Sequence, residues 1–353
     1  MARFRVDLRS DTTTAPSAAM RRAMAGADVG DAWYGDDPTV NRLQERAAEL
    51  TGCEAALYVA TGTMANQICL RLHVTGAGHI VACEAASHVA TTELMTSGVL
   101  SGITYRTGQN SPKRYMTAEL ASRLLEEDSY FDVEVIDLLS VENTVGSAGG
   151  TVMPVEEMRA VRKVADDAGV PVHLDGARLW NAAAATGADV IEWTSHADTL
   201  MFCLSKGLGA PIGSLVCGPR ELIREARRIW ILFGGAWRQA GIMAAAGLIA
   251  LEDGRTRLHE DHARAKRLAH ALAEIAPGSV DPTAVETNMV FVDTEVVGIP
   301  VLEAIDRLAT LGVGAVPVPG FVRMVTHVDI DDEAIDHAIH AWRSLAASFA
   351  KET

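Results

Sequence analysis

Short apolar runs alternate with helix-like segments along most of the chain, and this alternation restricts its fold more than any other feature. Runs at 133–141, 170–174 and 199–204 have the length and the apolar character of strands buried on both faces of a parallel sheet. The segment Pro154–Ala168 is predicted as a helix with proline at its first position and Gly169 just past its end. We therefore predict an α/β fold with a mostly parallel central sheet. The same patterns predict further helices at 18–24, 39–51, 64–74 and 239–251, and further strands at 55–59, 79–83 and 213–217.

The pattern changes after residue 253. A charged amphipathic helix at 256–275 is followed by strand-like runs at 288–292, 313–318 and 322–328, and by a final helix from 332 to about 350. This order indicates a small C-terminal α+β unit. We therefore divide the 353 residues into an N-terminal arm with a large domain, 1–253, and a small C-terminal domain, 254–353.

Composition limits the partners of the protein. A net charge of −15 argues against nucleic acid or an anionic membrane as a partner. The five cysteines form no CxxC pair, and most lie in apolar surroundings, as reduced thiols do. We see no apolar signal region at the N-terminus and no membrane-spanning run. We expect a soluble cytoplasmic protein with no nucleic-acid or membrane partner.

Lys206 lies where the apolar run 199–204 meets the glycine-rich segment 205–211. The chain has only five lysines, and the other four lie in polar or helical surroundings. An ammonium group at the end of a buried strand is costly to desolvate unless it is paired or used covalently. A lysine that merely extends to solvent is the commoner explanation for such a position, so Lys206 needs support from its surroundings.

Two other strand ends provide that support. The run 170–174 ends in Asp175, and Thr61-Gly62-Thr63 lie between a predicted strand and a predicted helix. The N–H groups at a helix start can bind phosphate, and a carboxylate can keep a pyridine nitrogen protonated. Alone, Asp175 could be a helix cap and the small residues an ordinary turn. Together with Lys206, these features fit one cofactor, pyridoxal 5'-phosphate.

Three further residues are candidates for the same site. His88 follows a predicted strand and could stack on the cofactor ring or be structural. Arg178 could pair with Asp175, contact the cofactor or bind a substrate carboxylate. Arg323, in an apolar run, needs an anionic partner, which could be a substrate carboxylate or a structural salt bridge. The histidines show no metal-binding spacing, so we predict no catalytic metal.

The ordered set of motifs resembles the low-specificity L-threonine aldolases. That family belongs to the beta-eliminating lyase group of pyridoxal-phosphate enzymes, which have the aspartate aminotransferase fold, fold type I. The resemblance extends from Asp7 to about Arg343. Its most specific segments are 7–12, 33–39, 61–66, 173–178, 204–209, 237–239, 287–291 and 323–327.

The resemblance implies a role for each candidate residue. Lys206 would bind the cofactor covalently, Asp175 would pair with its ring nitrogen, and His88 would stack on the ring. The remaining cofactor contacts would come from Gly62, Thr63, Arg178, Ser205 and Arg238. The substrate would be bound by Ser10, Tyr34, Arg178 and Arg323. Because family members build each active site from two subunits, the resemblance also implies a homo-oligomer, dimer or tetramer, in which Tyr34 and Arg238 reach a neighbour's site.

The implied reaction is retro-aldol cleavage of a small-molecule β-hydroxy-α-amino acid to glycine and an aldehyde, with Lys206, His88 and Asp175 as catalytic residues. The substrate would be L-threonine, L-allo-threonine or a bulkier analogue. Two alternatives remain open. One is a transaldolase or β-hydroxy amino acid synthase of specialised metabolism. The other is a catalytically silent homologue that serves as a binding subunit.

One segment departs from the family pattern. The family commonly has Glu-Asn-Thr-His where this chain has Glu142-Asn-Thr-Val145, and the segment 89–92 lacks an aromatic residue often found there. We expect Val145 near the substrate hydroxyl, where it would favour a bulkier or more apolar β-substituent. The proton acceptor would then be His88, a water held by Glu93, or the cofactor phosphate.

Overall fold

The computed structural model describes residues 4–74, 76–109, 114–126 and 136–349. Within these ranges the strands are β1 (Val6–Asp7), β2 (Ala55–Val59), β3 (Ile80–Glu84), β4 (Thr104–Gly108), β5 (Ile136–Glu142), β6 (Val172–Asp175), β7 (Thr199–Cys203), β8 (Ser214–Gly218), β9 (Met289–Asp293), β10 (Val313–Gly314), β11 (Val316–Val318) and β12 (Phe321–Val325). The helices are α1 (Ala18–Ala25), α2 (Pro38–Thr51), α3 (Gly62–His73), α4 (His88–Thr91), α5 (Leu94–Ser101), α6 (Ala118–Glu126), α7 (Val155–Ala168), α8 (Leu179–Thr186), α9 (Ile191–Thr194), α10 (Arg220–Leu232), α11 (Gly241–Ile249), α12 (Leu258–Ile275), α13 (Val301–Thr310) and α14 (Asp332–Phe349).

A seven-stranded sheet forms the centre of the large unit, in the order β2-β8-β7-β6-β5-β3-β4. Strands β7, β6, β5, β3 and β4 run parallel to one another. Strand β8 runs antiparallel to both of its neighbours, β7 and β2. Strands β3, β7 and β8 are buried at every residue, which explains their mostly apolar sequences. The predicted α/β class and the mostly parallel sheet are confirmed.

Local signals set the ends of the helices. The Asp37 side chain caps α2, and Gly52 ends that helix in a left-handed conformation with φ 67°. Helix α7 ends in the same way at Gly169, as predicted. Pro154 is the N-cap residue of α7, so this helix begins at Val155, one residue later than we predicted. These caps place the helix ends within a few residues of the sequence-based boundaries.

The predicted strand at 313–318 differs from the structure. The run at 313–318 forms two short strands, because β10 pairs with β1 while β11 pairs with β12 in another sheet. Residues 133–135 of the predicted strand 133–141 lie outside the described ranges, and β5 is described from Ile136 onward. The local sequence pattern does not show that two parts of one apolar run pair with different sheets.

The C-terminal unit has its own core around the antiparallel sheet β11-β12-β9. Helices α12, α13 and α14 contribute Leu268, Leu308 and Ile335 to it. Val6 and Leu8 of the N-terminal arm belong to this core too, and β1 pairs with β10. Residues 6–8 therefore pack with the C-terminal unit, although we grouped the arm with the large domain. The boundary at residue 253 stays a prediction.

Candidate active site

Most of the predicted site residues meet in one cavity of about 530 Å³ at the carboxyl ends of β5, β6 and β7. This edge of a parallel sheet is the usual location of ligand sites in α/β folds. The predicted residues that line the cavity are Ser10, Gly62, Thr63, His88, Asp175, Arg178, Ser205, Lys206 and Arg323. Segments of both units therefore contribute to one site.

Tyr34 and Arg238 do not line this cavity. Tyr34 is 77% exposed. The Arg238 guanidinium lies 5.3 Å from the ring centroid of Trp33, and its Nη1 lies 3.6 Å from Oδ1 of Asp31. Within a single chain, neither residue is placed at the cavity, so their contribution to a neighbouring subunit's site stays a prediction.

The start of α3 has free donors at the cavity. Thr61 caps the helix, with its Oγ1 accepting from the Met64 N–H at 3.1 Å and its carbonyl accepting from the Ala65 N–H at 3.0 Å. The N–H groups of Gly62 and Thr63 therefore remain for an anion at a helix N-terminus. A Cβ at Gly62 would lie 2.8 Å from Cys203 Sγ, so the backbone packs closely against β7. This arrangement is able to bind a phosphate.

Lys206 and Asp175 follow neighbouring parallel strands. Asp175 is the last residue of β6, which pairs with β7 in the register Leu174 to Leu200. Lys206 lies in the turn beyond β7, where its carbonyl accepts from the N–H of Gly209 at 2.8 Å. Gly209 has φ 84°, which only glycine adopts readily, and it allows this tight turn. The fold thus brings an amine and a buried carboxylate to one edge of the sheet.

His88 and Glu93 form a dyad at the cavity wall. His88 Nδ1 lies 2.9 Å from Oε1 of the buried Glu93. This bond raises the pKa of His88 above its ordinary value, against the opposing effect of burial. Burial alone would raise the pKa of Glu93. The hydrogen bonds from His88 and Gln67 outweigh this effect, so the net pKa of Glu93 is lowered and its carboxylate is charged at neutral pH. His88 Nδ1–H therefore donates to Glu93, which leaves Nε2 as an acceptor when the ring is neutral.

Glu142 is a site residue that we did not predict. It is buried at the end of β5, directly beside Asp175 in the sheet register. Its Oε2 accepts from the N–H of His88 at 2.7 Å, and its Oε1 from the N–H of Gly146 at 2.9 Å. Burial and the charge of Asp175 raise the pKa of Glu142 to about 7. The sequence could have identified Glu142, because it is an acidic residue at the end of an apolar strand, the same pattern that led us to Asp175.

The two arginines differ in their partners. Arg178 makes a bidentate pair with the buried Asp11, at 2.8 Å and 2.6 Å. Burial raises the pKa of Asp11, but the Arg178 guanidinium outweighs this effect and lowers it to about 2. Arg323 donates from Nη2 to the Arg9 carbonyl at 3.3 Å, and its buried Nε–H has no partner among the described residues. Arg323 therefore keeps a buried donor for an anion and, unlike Arg178, forms no ion pair with a carboxylate among the described residues.

The structure does not place Val145 at the cavity. Its side chain is 1% exposed and packs in the core of the large unit, while its N–H donates to the Thr151 carbonyl at 3.0 Å. Gly146 and Ser147 line the cavity instead. Our expectation that Val145 contacts the substrate hydroxyl is therefore wrong, because the turn after β5 directs this side chain inward.

Among the described residues, no group of three or more His, Cys, Asp or Glu side chains is arranged to hold a metal ion. No helix in the described ranges is both long and apolar enough to cross a membrane.

Comparisons with known proteins give matches to a family model, to relatives and to a solved structure. The beta-eliminating lyase family model matches residues 7–295. The low specificity L-threonine aldolase of Escherichia coli K12 is 38% identical over 343 residues, covering 97% of this chain and 99% of that protein. The aldolase vrtJ of Penicillium aethiopicum is 38% identical over 333 residues, covering 93% of this chain and 83% of that protein. The threonine aldolase structure from Leishmania major aligns with a TM-score of 0.78 at 18% identity, covering 97% of this chain and 99% of that one, which establishes similarity of fold alone.

Proposed function

Since this chain belongs to the beta-eliminating lyase family, we propose that it is a pyridoxal-phosphate-dependent aldolase that cleaves a β-hydroxy-α-amino acid to glycine and an aldehyde. The observation that carries the proposal is the convergence of Lys206, Asp175, His88 and the start of α3 on one cavity. A non-catalytic binding subunit would have no use for this combination.

The described residues fit the cofactor. The free N–H groups of Gly62 and Thr63 would hold the phosphate together with Ser205, which lines the same cavity, and Lys206 would form the covalent link. The buried Asp175 carboxylate would pair with the ring nitrogen. When bound, pyridoxal phosphate supplies an electron sink for the bonding pair released at the substrate Cα.

The substrate carboxylate would bind at Arg323, whose buried Nε–H lacks a partner. A guanidinium matches a carboxylate in geometry and charge. Arg178 is already neutralised by Asp11, so it would contribute through its remaining donors, together with Ser10. Fixing the carboxylate limits rotation about the substrate Cα and thereby selects the bond that breaks.

His88 would accept the proton of the substrate hydroxyl at Nε2, because Nδ1 is committed to Glu93. As the proton leaves, the Cα–Cβ bond breaks and the hydroxyl carbon becomes the aldehyde carbonyl. The Glu93 oxygens accept from His88, Asn66 and Gln67, and our expectation that Glu93 holds a catalytic water stays a prediction.

We further propose a homo-oligomer, dimer or tetramer, located in the cytoplasm. Tyr34 is exposed and Arg238 half-exposed beside Trp33, as expected for residues that complete a neighbour's site. Met95 and Val99 are also largely exposed on one face of α5, which is unfavourable in an isolated chain. The five cysteines are free, as is usual in a reducing compartment.

The function is tested with purified protein loaded with pyridoxal phosphate and incubated separately with L-threonine, L-allo-threonine and phenylserine. We expect equimolar glycine and aldehyde from at least one of them. Lys206→Ala should lose product formation and the visible absorption of the bound cofactor together. Borohydride reduction followed by peptide mapping should label Lys206, and a label on another lysine would contradict the assignment. Product formation only with a second aldehyde present would instead favour the transaldolase or synthase.

A further inference from the structure

The side-chain amide of Asn66 contacts two buried carboxylates at once. Asn66 is buried on α3, one turn after the phosphate cradle. Its Nδ2 donates to Oδ2 of Asp175 at 2.8 Å and lies 3.2 Å from Oε1 of Glu93. We propose that Asn66 is a positioning residue whose single amide group holds both Asp175, the partner of the cofactor ring nitrogen, and Glu93, the partner of His88. The proposal rests on the proposed function for the roles of those two carboxylates.

A chain of hydrogen bonds fixes the orientation of this amide. Asn66 Oδ1 lies 3.1 Å from Nε2 of His173, and His173 Nδ1 lies 3.1 Å from Oγ1 of Thr199. The same hydroxyl lies 3.0 Å from Nε2 of His73. Burial lowers the pKa of His173 to about 4, so the ring is neutral near pH 7 and donates from only one nitrogen.

The two carboxylates decide the direction of this chain. They accept and cannot donate, so the amide must present its NH₂ group to them and its oxygen to His173. His173 then carries its proton on Nε2 and accepts from the Thr199 hydroxyl at Nδ1. The His73 Nε2–H in turn donates to Thr199. Both N–H bonds of Asn66 are thereby used, one for each carboxylate.

Asn66 thus holds both Asp175 and Glu93, a task for which two separate residues would otherwise be needed. The amide NH₂ places partial positive charge between two buried negative groups, which favours the charged form of each. It also fixes the carboxylate planes, which determines where Asp175 and Glu93 present their remaining lone pairs. Loss of the amide should therefore disturb ring-nitrogen protonation and the basicity of His88 together.

The neighbouring residue provides a matched control. Gln67 Nε2 donates to Oε2 of Glu93 at 2.9 Å and to Oγ of Ser97 at 2.9 Å. No hydrogen bond joins Gln67 to Asp175 among the described residues. Gln67→Ala therefore removes a donor from Glu93 alone, whereas Asn66→Ala removes a donor from both carboxylates.

The first test uses the unaltered holoenzyme. ¹⁵N NMR of histidine-labelled protein should show His173 neutral and protonated at Nε2 from pH about 6 to about 9. A proton on Nδ1 would mean that the amide is turned the other way, and the proposal would be overturned. This measurement needs neither substrate nor a variant, so it also decides the matter if the variants do not fold.

The second test compares the two variants as holoenzymes with ¹⁵N in the cofactor ring. Asn66→Ala should move the ring-nitrogen resonance toward the unprotonated value and reduce kcat/KM about tenfold or more, while Gln67→Ala should leave that resonance in place. Both should move the acid limb of the pH profile to higher pH, because Glu93 with fewer donors binds the His88 proton more tightly. A folded Asn66→Ala protein with an unmoved ring resonance would refute the proposal. If the ring resonance responds as expected but no aldehyde is ever formed, the proposed reaction fails and the positioning role stands.

Discussion

Arg323 and Arg178 lie at the same cavity, yet their guanidinium groups have different partners. Arg178 is neutralised by Asp11, whereas the buried Nε–H of Arg323 has no partner among the described residues, and burial lowers the pKa of Arg323. We expect Arg323→Ala to raise the apparent KM about tenfold or more, since loss of a charge-assisted bond costs about 1.5–3 kcal/mol. Cofactor absorption should be unchanged.

Steady-state kinetics of Arg323→Ala and Arg323→Lys provide the measurement. The lysine variant keeps the charge without the planar fork, so its KM should lie between those of the wild type and the alanine variant. An unchanged KM combined with a lower Tm would show that Arg323 stabilises the fold and does not bind the substrate.

The dyad of His88 and Glu93 makes a second prediction at the residue scale. His88 must be neutral to accept a proton, so kcat/KM should rise as the pH passes its raised pKa. Glu93→Gln removes the charge that raises this pKa and should therefore move the acid limb to lower pH, with a lower maximum rate. The pH profiles of the two proteins give the test. If the limb does not move, another group such as Glu142, with a pKa of about 7, controls it.

At the scale of elements, the first turn of α3 acts as the anion cradle only if its backbone stays close to β7. A Cβ on residue 62 would lie 2.8 Å from Cys203 Sγ and 3.2 Å from Met201 Cε, so Gly62→Ala must displace the turn. We expect the Kd for pyridoxal phosphate to rise about tenfold or more, as phosphate donors lose alignment.

Two further variants make the test of Gly62→Ala specific. Adding Cys203→Ala removes the closest contact and should recover part of the cofactor affinity. Gly26→Ala serves as the control, because its new Cβ would lie 3.6 Å from the nearest atom, an ordinary contact. Titration of the apoprotein gives each Kd, and equal affinity of wild type and Gly62→Ala would exclude the cradle.

At the scale of the whole molecule, a shared active site predicts complementation between subunits. If Arg238 completes the site of a neighbour, Lys206→Ala and Arg238→Ala impair different halves of each site. Co-refolding the two inactive variants in equal amounts should restore about a quarter of the wild-type activity, because half of the random dimers then contain one intact site of two. No recovery in a confirmed mixed oligomer would show that Arg238 does not complete the site of a neighbour.

Much of the site was predictable because it depends on strand ends. The carboxyl ends of parallel strands meet at one edge of a sheet, so Asp175 after one apolar run and Lys206 after another were expected to be neighbours. The same holds for the phosphate cradle, since a helix that follows a strand starts at that edge. The hydrophobic period, the positions of glycine and proline, and the residue types are local properties. They were sufficient to predict the α/β class and to propose where the cofactor binds.

Contacts between distant segments were decided only by the tertiary structure. Asp11 pairs with Arg178 across 167 positions, and Val6 and Leu8 join the core of the C-terminal unit. The register of β5 against β6 sets Glu142 beside Asp175, and the turn after β5 directs Val145 inward. A side chain's partner depends on which segments the fold brings together, and the local sequence carries no record of that choice.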